Sequence, residues 1–124
     1  MNKKILLIDD EELIIKSLTK LLKAKGFEVA IAKCMQDALG AVQEKEYNLF
    51  ISDIRMPEAN GVEIINKLYE YLDQKDILRP PIIFITGYAD KKYEKVANQL
   101  NPAAYIYKPF DIHDLLQNIE KVFA

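Results

Sequence analysis

Three uninterrupted apolar runs of strand length constrain this chain most: Ile5-Leu6-Leu7-Ile8, Leu49-Phe50-Ile51 and Ile82-Ile83-Phe84-Ile85. A strand with one wet face alternates apolar and polar residues. A run without alternation needs cover on both faces, as in a parallel sheet between layers of helices. Each run stops on residues that carry chemistry. The first meets Asp9-Asp10-Glu11-Glu12, the second Ser52-Asp53 and then Ile54-Arg55-Met56-Pro57, the third Thr86-Gly87. A shorter stretch, Tyr105-Ile106-Tyr107, stops at Lys108-Pro109. Open α/β sheets bind ligands in the crevice at the carboxyl ends of their strands. These ends are therefore expected to meet, with Asp53 at their centre.

The segments between the runs read as helices. Ile14, Leu18, Leu21 and Leu22 fall on one helix face, and Gly26 follows the basic turn of Lys23 and Lys25 as a stop. Residues 27–32 alternate and read as a second strand. Met35, Ala38, Leu39 and Val42 mark a second helix ending near Lys45. Residues 48–53 form the third strand, and Pro57 to Gly61 a loop. Ile64, Ile65, Leu68 and Leu72 mark a third helix, and residues 73–81 a longer connection. Pro80-Pro81 cannot sit inside a central ladder, so the fourth strand is 82–86. Tyr93, Val96, Ala97 and Leu100 make a short fourth helix, which Asn101-Pro102 ends. Residues 104–107 are the fifth strand. Asp111 caps a last helix with Ile112, Leu115, Leu116, Ile119, Val122 and Phe123 on one face. Five strands alternating with five helices imply a doubly wound parallel sheet with right-handed crossovers. The pattern carries no repeat and no second domain, so residues 1–124 are expected to form one domain with no room for an output domain.

Composition narrows the function classes. With 17 Lys and Arg against 19 Asp and Glu, the formal net charge of −2 gives no reason for bulk attraction to nucleic acid or to an anionic membrane. The single cysteine, Cys34, excludes an intrachain disulfide and a thiol cluster for zinc, which suits a reducing cytoplasm. The apolar stretch after Lys3-Lys4 is too short and wrongly flanked for a signal peptide, and no run approaches a membrane span.

Carboxylates from Asp9, Asp10 and Asp53 brought together would repel, and one of them would tend to stay protonated. Mg²⁺ resolves this, since it takes oxygen ligands and keeps waters that phosphate oxygens can replace. Lys108 adds a fixed positive charge and Thr86 a hydroxyl. A metal, a cation and a donor around one carboxylate stabilise a transferring phosphoryl group, and Asp carboxylates act as covalent phosphoryl acceptors.

The stretches Ile8-Asp9-Asp10-Glu11, Asp53-Ile54-Arg55-Met56-Pro57 with Gly61 four on, Ile85-Thr86-Gly87 and Tyr105-Ile106-Tyr107-Lys108-Pro109-Phe110 are weak singly and specific together. In this order, over essentially the whole chain, they resemble the receiver domain of two-component response regulators. The resemblance implies a flavodoxin-like (βα)5 fold with strand order 2-1-3-4-5, an order known from a chemotaxis receiver and carried over with the resemblance. It implies Asp53 as the phosphoacceptor, and Mg²⁺ held by Asp9, Asp10, Asp53 and the backbone carbonyl of Arg55. It further implies that Lys108 pairs with the phosphoryl oxygen, that Thr86 and Tyr105 act as switch residues, and that the Lys108–Pro109 peptide is cis. The implied partners are a sensor histidine kinase or phosphotransfer protein, and an unknown effector that reads the surface of helix 4, strand 5 and helix 5. Phosphorylation-dependent dimerisation is a further expectation; direct nucleic-acid or membrane binding is not expected.

Some positions depart from the family pattern. Gly87 follows the Thr where Ala is common, and Asn101-Pro102 stands where Gly-Ala often precedes the fifth strand. Arg55 and Tyr88 stand where access of the attacking water is tuned, so a long-lived phosphoryl group is expected. A pseudo-receiver that never carries phosphate is opposed by the complete acidic set with Thr86 and Lys108. An Asp-nucleophile phosphohydrolase would want a second Asp at position 55, where this chain has Arg. Cys34 reads as a small structural residue, His113 as an exposed residue of the last helix, and Tyr88, Tyr93 and Tyr107 as packing residues or a partner surface.

Overall fold

The structure, a computed structural model, describes residues 3–87 and 91–124. In chain order the elements are β1 (Lys4–Ile8), α1 (Glu12–Ala24), β2 (Glu28–Ala32), α2 (Met35–Glu44), β3 (Leu49–Asp53), α3 (Gly61–Gln74), β4 (Ile82–Thr86), α4 (Lys91–Asn98), β5 (Ala104–Tyr107) and α5 (Ile112–Val122). The strands pair in parallel in the order β2-β1-β3-β4-β5. This is the flavodoxin-like doubly wound sheet that the sequence leads one to expect.

The three continuous apolar runs are the three central strands. β3 and β4 are buried throughout and β1 everywhere but Lys4, whereas the alternating β2 and the short β5 lie at the two edges, half-exposed. Within the central strands the two-residue period divides the core. Leu6, Ile8, Phe50, Ile82 and Phe84 pack against Ala38 and Val42 of α2, Val62, Ile65 and Leu68 of α3 and Ala97 of α4. Ile5, Leu7, Leu49, Ile51, Ile83 and Ile85 pack against Leu18 and Leu22 of α1 and Leu115 and Ile119 of α5. Both faces of the sheet are thus sealed, which explains why the central strands tolerate no polar alternation.

The helix boundaries follow local chemistry. Gly26 has φ +92 just beyond α1, a left-handed position that favours glycine. Asn60 Oδ1 accepts the Glu63 N–H at 2.9 Å, and Asp111 Oδ1 accepts the His113 N–H at 2.8 Å. At the start of α2, Cys34 Sγ accepts the Asp37 N–H at 3.5 Å, so this cysteine serves as a helix cap. Three details differ from the periodicity. The buried seam of α1 is Ile15, Leu18 and Leu22, with Ile14 at its margin. Leu100 lies beyond the end of α4 but still packs on the core. Phe123 lies just past α5, its ring 5.6 Å from that of Phe27. Packing direction decides such margins; spacing alone does not.

Candidate functional site

Strand register brings the expected residues to one level. Ile8 pairs with Ser52, Asp53 with Ile85, and Thr86 with Tyr107. Asp9, Asp53, Thr86 and Lys108 therefore leave four neighbouring strands within about one residue of each other, at the carboxyl end of the sheet. Asp9, Ser52, Asp53 and Thr86 are also the buried polar residues of the described chain. Apart from the Tyr69 hydroxyl, the side-chain polarity of the buried described residues is thus concentrated at one place.

At the centre, Lys108 Nζ donates to Asp53 Oδ2 at 3.0 Å and to Glu11 Oε1 at 2.7 Å, and lies 3.7 Å from Asp9 Oδ2. The other Asp53 oxygen, Oδ1, accepts the Arg55 N–H at 3.2 Å. Asp9 Oδ1 accepts the Glu11 N–H at 2.9 Å, while the buried Asp9 Oδ2 has no hydrogen bond among the described residues. Asp10 is exposed at the rim. One carboxylate oxygen from each of Asp9, Asp10 and Asp53 can be chosen so that all three lie within 4.8 Å of one another.

The charges in this cluster are not balanced. Burial pushes the Asp9 carboxyl up to about 6, the Glu11 N–H works against that, and the charge on Asp53 adds to it. Burial also raises the Asp53 carboxyl, opposed by the bond from Lys108. Burial alone would lower the pKa of Lys108, yet its bonds to Glu11 and Asp53 outweigh this and the ammonium is held above its ordinary value. One lysine is too little positive charge for the carboxylates that face it. The oxygen-only donor set and the orphaned Asp9 oxygen fit a hard divalent cation.

The backbone beneath Asp53 is fixed by neighbours. Ser52 Oγ donates to the Asp53 carbonyl at 2.9 Å, and Gly61 N–H donates to the Ile54 carbonyl at 2.7 Å. A Cβ on Gly61 would collide with the Asp53 carbonyl oxygen. The glycine four residues after Pro57 is thus required for the first turn of α3 to lie against the end of β3. That contact, and the pairing of Lys108 with Glu11, are not readable from the sequence. The glycine is visible there as part of a motif. The ion pair joins residues 97 apart and is visible only once the strands are aligned.

The expected switch residues lie along the same edge. The Lys108 N–H donates to the Thr86 carbonyl at 2.6 Å, and the Lys108–Pro109 peptide is cis, as expected. Half-buried Tyr105 has its ring 6.3 Å from Phe84 and 5.4 Å from Tyr107. Tyr107 donates to Glu94 Oε2 of α4 at 2.7 Å. The Arg55 guanidinium sits 6.0 Å from the ring centre of Tyr93, also on α4. Arg55 therefore touches Asp53 with its backbone and α4 with its side chain. Tyr88 lies outside the described residues, and His113 is exposed as expected.

A family model described as the response regulator receiver domain matches residues 5–120. The transcriptional regulatory protein CrdR of Helicobacter pylori is 32% identical over 123 residues, covering 99% of this chain and 56% of that protein. The polar-differentiation response regulator DivK of Brucella ovis is 29% identical over 120 residues, covering 97% of this chain and 95% of that protein. A CheY-like response regulator receiver domain protein from Methanospirillum hungatei superposes with a TM-score of 0.87 at 31% identity, covering 98% of this chain and 94% of that one. The chain spans just over half the length of CrdR and nearly all of DivK. No described helix is long and apolar enough to cross a membrane.

Proposed function

The chain belongs to the response regulator receiver domain family, whose members interact with histidine kinases and downstream effectors, and on that premise we propose that it is a single phosphoacceptor domain in which Asp53 takes a phosphoryl group from a sensor histidine kinase or phosphotransfer protein. The observation that carries this reading is the contact between Lys108 Nζ and Asp53 Oδ2, 3.0 Å across a buried site at the strand ends. In the transfer, an Asp53 carboxylate oxygen forms a bond to phosphorus as the donor's P–N bond breaks, and the electron pair leaves on the imidazole nitrogen. Hydrolysis reverses the state: water adds to phosphorus, the P–O bond to Asp53 breaks, and the carboxylate and inorganic phosphate are released.

The protein's own part is positioning and charge. The Arg55 N–H and Lys108 orient the Asp53 carboxylate, and Lys108 is the fixed cation beside the developing phosphoryl oxygens. Asp9, Asp10, Asp53 and the Arg55 carbonyl would hold Mg²⁺, which when bound supplies positive charge to the phosphoryl oxygens. Thr86 would bond the phosphoryl group and Tyr105 turn further inward, altering the surface of α4, β5 and α5 that an effector reads. Arg55 and Tyr88 would slow the attacking water and lengthen the life of the phosphoryl group.

Incubation with acetyl phosphate and Mg²⁺ followed by intact-mass measurement tests the proposal. One added phosphoryl group, lost with EDTA and in Asp53→Asn, supports it. An unchanged mass would favour an interaction module that carries no phosphate, and turnover of a generic phosphomonoester would favour a hydrolase.

A further inference from the structure

Glu11 stands at the N-cap position of α1, and its carbonyl accepts the Ile15 N–H at 3.0 Å as a capping residue's should. The short oxygen side chains favoured there, Ser, Thr, Asp and Asn, turn back to bond the first free N–H groups of their own helix. Glu11 makes no such side-chain bond. Its Oε1 instead takes the Lys108 ammonium at 2.7 Å, closer than Asp53 does at 3.0 Å. The neighbouring backbone is set for this, because the Glu11 N–H is fixed on the buried Asp9 carboxylate. The environments differ in a telling way: the Lys108 side chain is 13% exposed and that of Asp53 5%, but that of Glu11 is 55% exposed. Glu11 therefore reaches the ammonium that Asp53 uses, and reaches it from the solvent side.

From this geometry we infer that Glu11 is a positioning residue that acts through Lys108 and selects against small anionic phosphoryl donors. The inference rests on the reading of Asp53 as phosphoacceptor. An ammonium has three donors, and here one is committed to Asp53 and one to Glu11. A phosphoryl group arriving at Asp53 has to share Lys108 with Glu11, and a free dianionic donor also approaches past the exposed Glu11 carboxylate. Removing the Glu11 charge relieves both effects, while a donor of lower negative charge feels the second less.

The test measures the initial rate of Asp53 phosphorylation in parent, Glu11→Gln and Glu11→Asp with two donors, acetyl phosphate and phosphoramidate, each at low and high salt with saturating Mg²⁺. Glu11→Gln is expected to raise the acetyl phosphate rate about three- to tenfold, the order set by one charge across a partly wet gap, mainly by lowering the half-saturating donor concentration. The gain is expected to be smaller with phosphoramidate and to shrink in high salt, with Glu11→Asp close to the parent. A purely structural loss of Glu11 would slow both donors alike and ignore salt. An unchanged or lower acetyl phosphate rate in Glu11→Gln, with the parent labelling normally, overturns this inference alone. Failure of the parent to label overturns the phosphoacceptor reading and the inference with it.

Discussion

α3 and α4 are held very differently. Each follows a strand that ends on a buried polar residue, Asp53 before α3 and Thr86 before α4. α3 buries Gly61, Val62, Ile64, Ile65, Leu68, Tyr69 and Leu72. Among the described residues of α4, Ala97 alone is fully buried, and Val96 is 42% exposed. Each helix is also tied down by a tyrosine hydroxyl. On α3, buried Tyr69 donates to the Pro80 carbonyl at 2.7 Å; on α4, Glu94 accepts from exposed Tyr107. The looser hold on α4 leaves it the freer of the two helices to shift. The end of β3 is clamped by α3, so a charge change at Asp53 has little freedom to move that side. α4 has less to lose by shifting, and Arg55 and Tyr107 both reach it. Low-stability elements are the ones that regulatory equilibria use.

The largest expected effect breaks the clamp. Gly61→Val places side-chain atoms against the Asp53 carbonyl and is expected to cost about 4 kcal/mol or more, the range of severe backbone and packing errors. Urea unfolding checks it, and a loss within about 1 kcal/mol would show that α3 does not constrain β3. Next, Leu68→Ala in α3 is expected to cost about 3 kcal/mol, against about 0.5 kcal/mol or less for Val96→Ala in α4; equal losses would erase the contrast.

A pH series sharpens it further. Burial pushes the Tyr69 hydroxyl up to about 12, with Arg79 acting the other way. The neutral phenol is therefore favoured in the fold. Its contribution is complete below the unfolded value near 10 and is lost as pH rises through about 12, at most about 2–3 kcal/mol for a shift of that size. Tyr69→Phe is expected to flatten that portion of the stability profile, and an unchanged slope would contradict the assignment. The smallest effect lies on α4. Tyr107→Phe is expected to leave the unfolding midpoint unchanged while speeding hydrogen exchange of α4 amides, with α3 amides unaffected.

Much of this is legible in the residues, for identifiable reasons. Strand identity is readable because the runs at 5–8, 49–51 and 82–85 are too apolar for any exposed use, and an alternating β2 suits an edge. The positions of Asp9, Asp53, Thr86 and Lys108 follow from strand ends and the rule that parallel sheets bind at their carboxyl edge. Strand order does not follow from pattern, since β1 pairs on both sides and nothing in its residues names the partners; the family resemblance supplies it. Two further features need three dimensions. Gly61 fits any loop-to-helix turn in sequence, and only packing reveals the carbonyl it must admit. Glu11 reads as one acid among four, and only the fold brings Lys108 to it.

Chemical trapping of the acyl phosphate reports directly whether Asp53 takes the phosphoryl group. Borohydride reduces an aspartyl phosphate to homoserine, so protein treated with acetyl phosphate and Mg²⁺, reduced and digested, reports the modified position by peptide mass. Homoserine is expected at position 53, with none in a sample lacking the phosphodonor. Homoserine at another aspartate, or at none, would contradict the reading of Asp53 as phosphoacceptor.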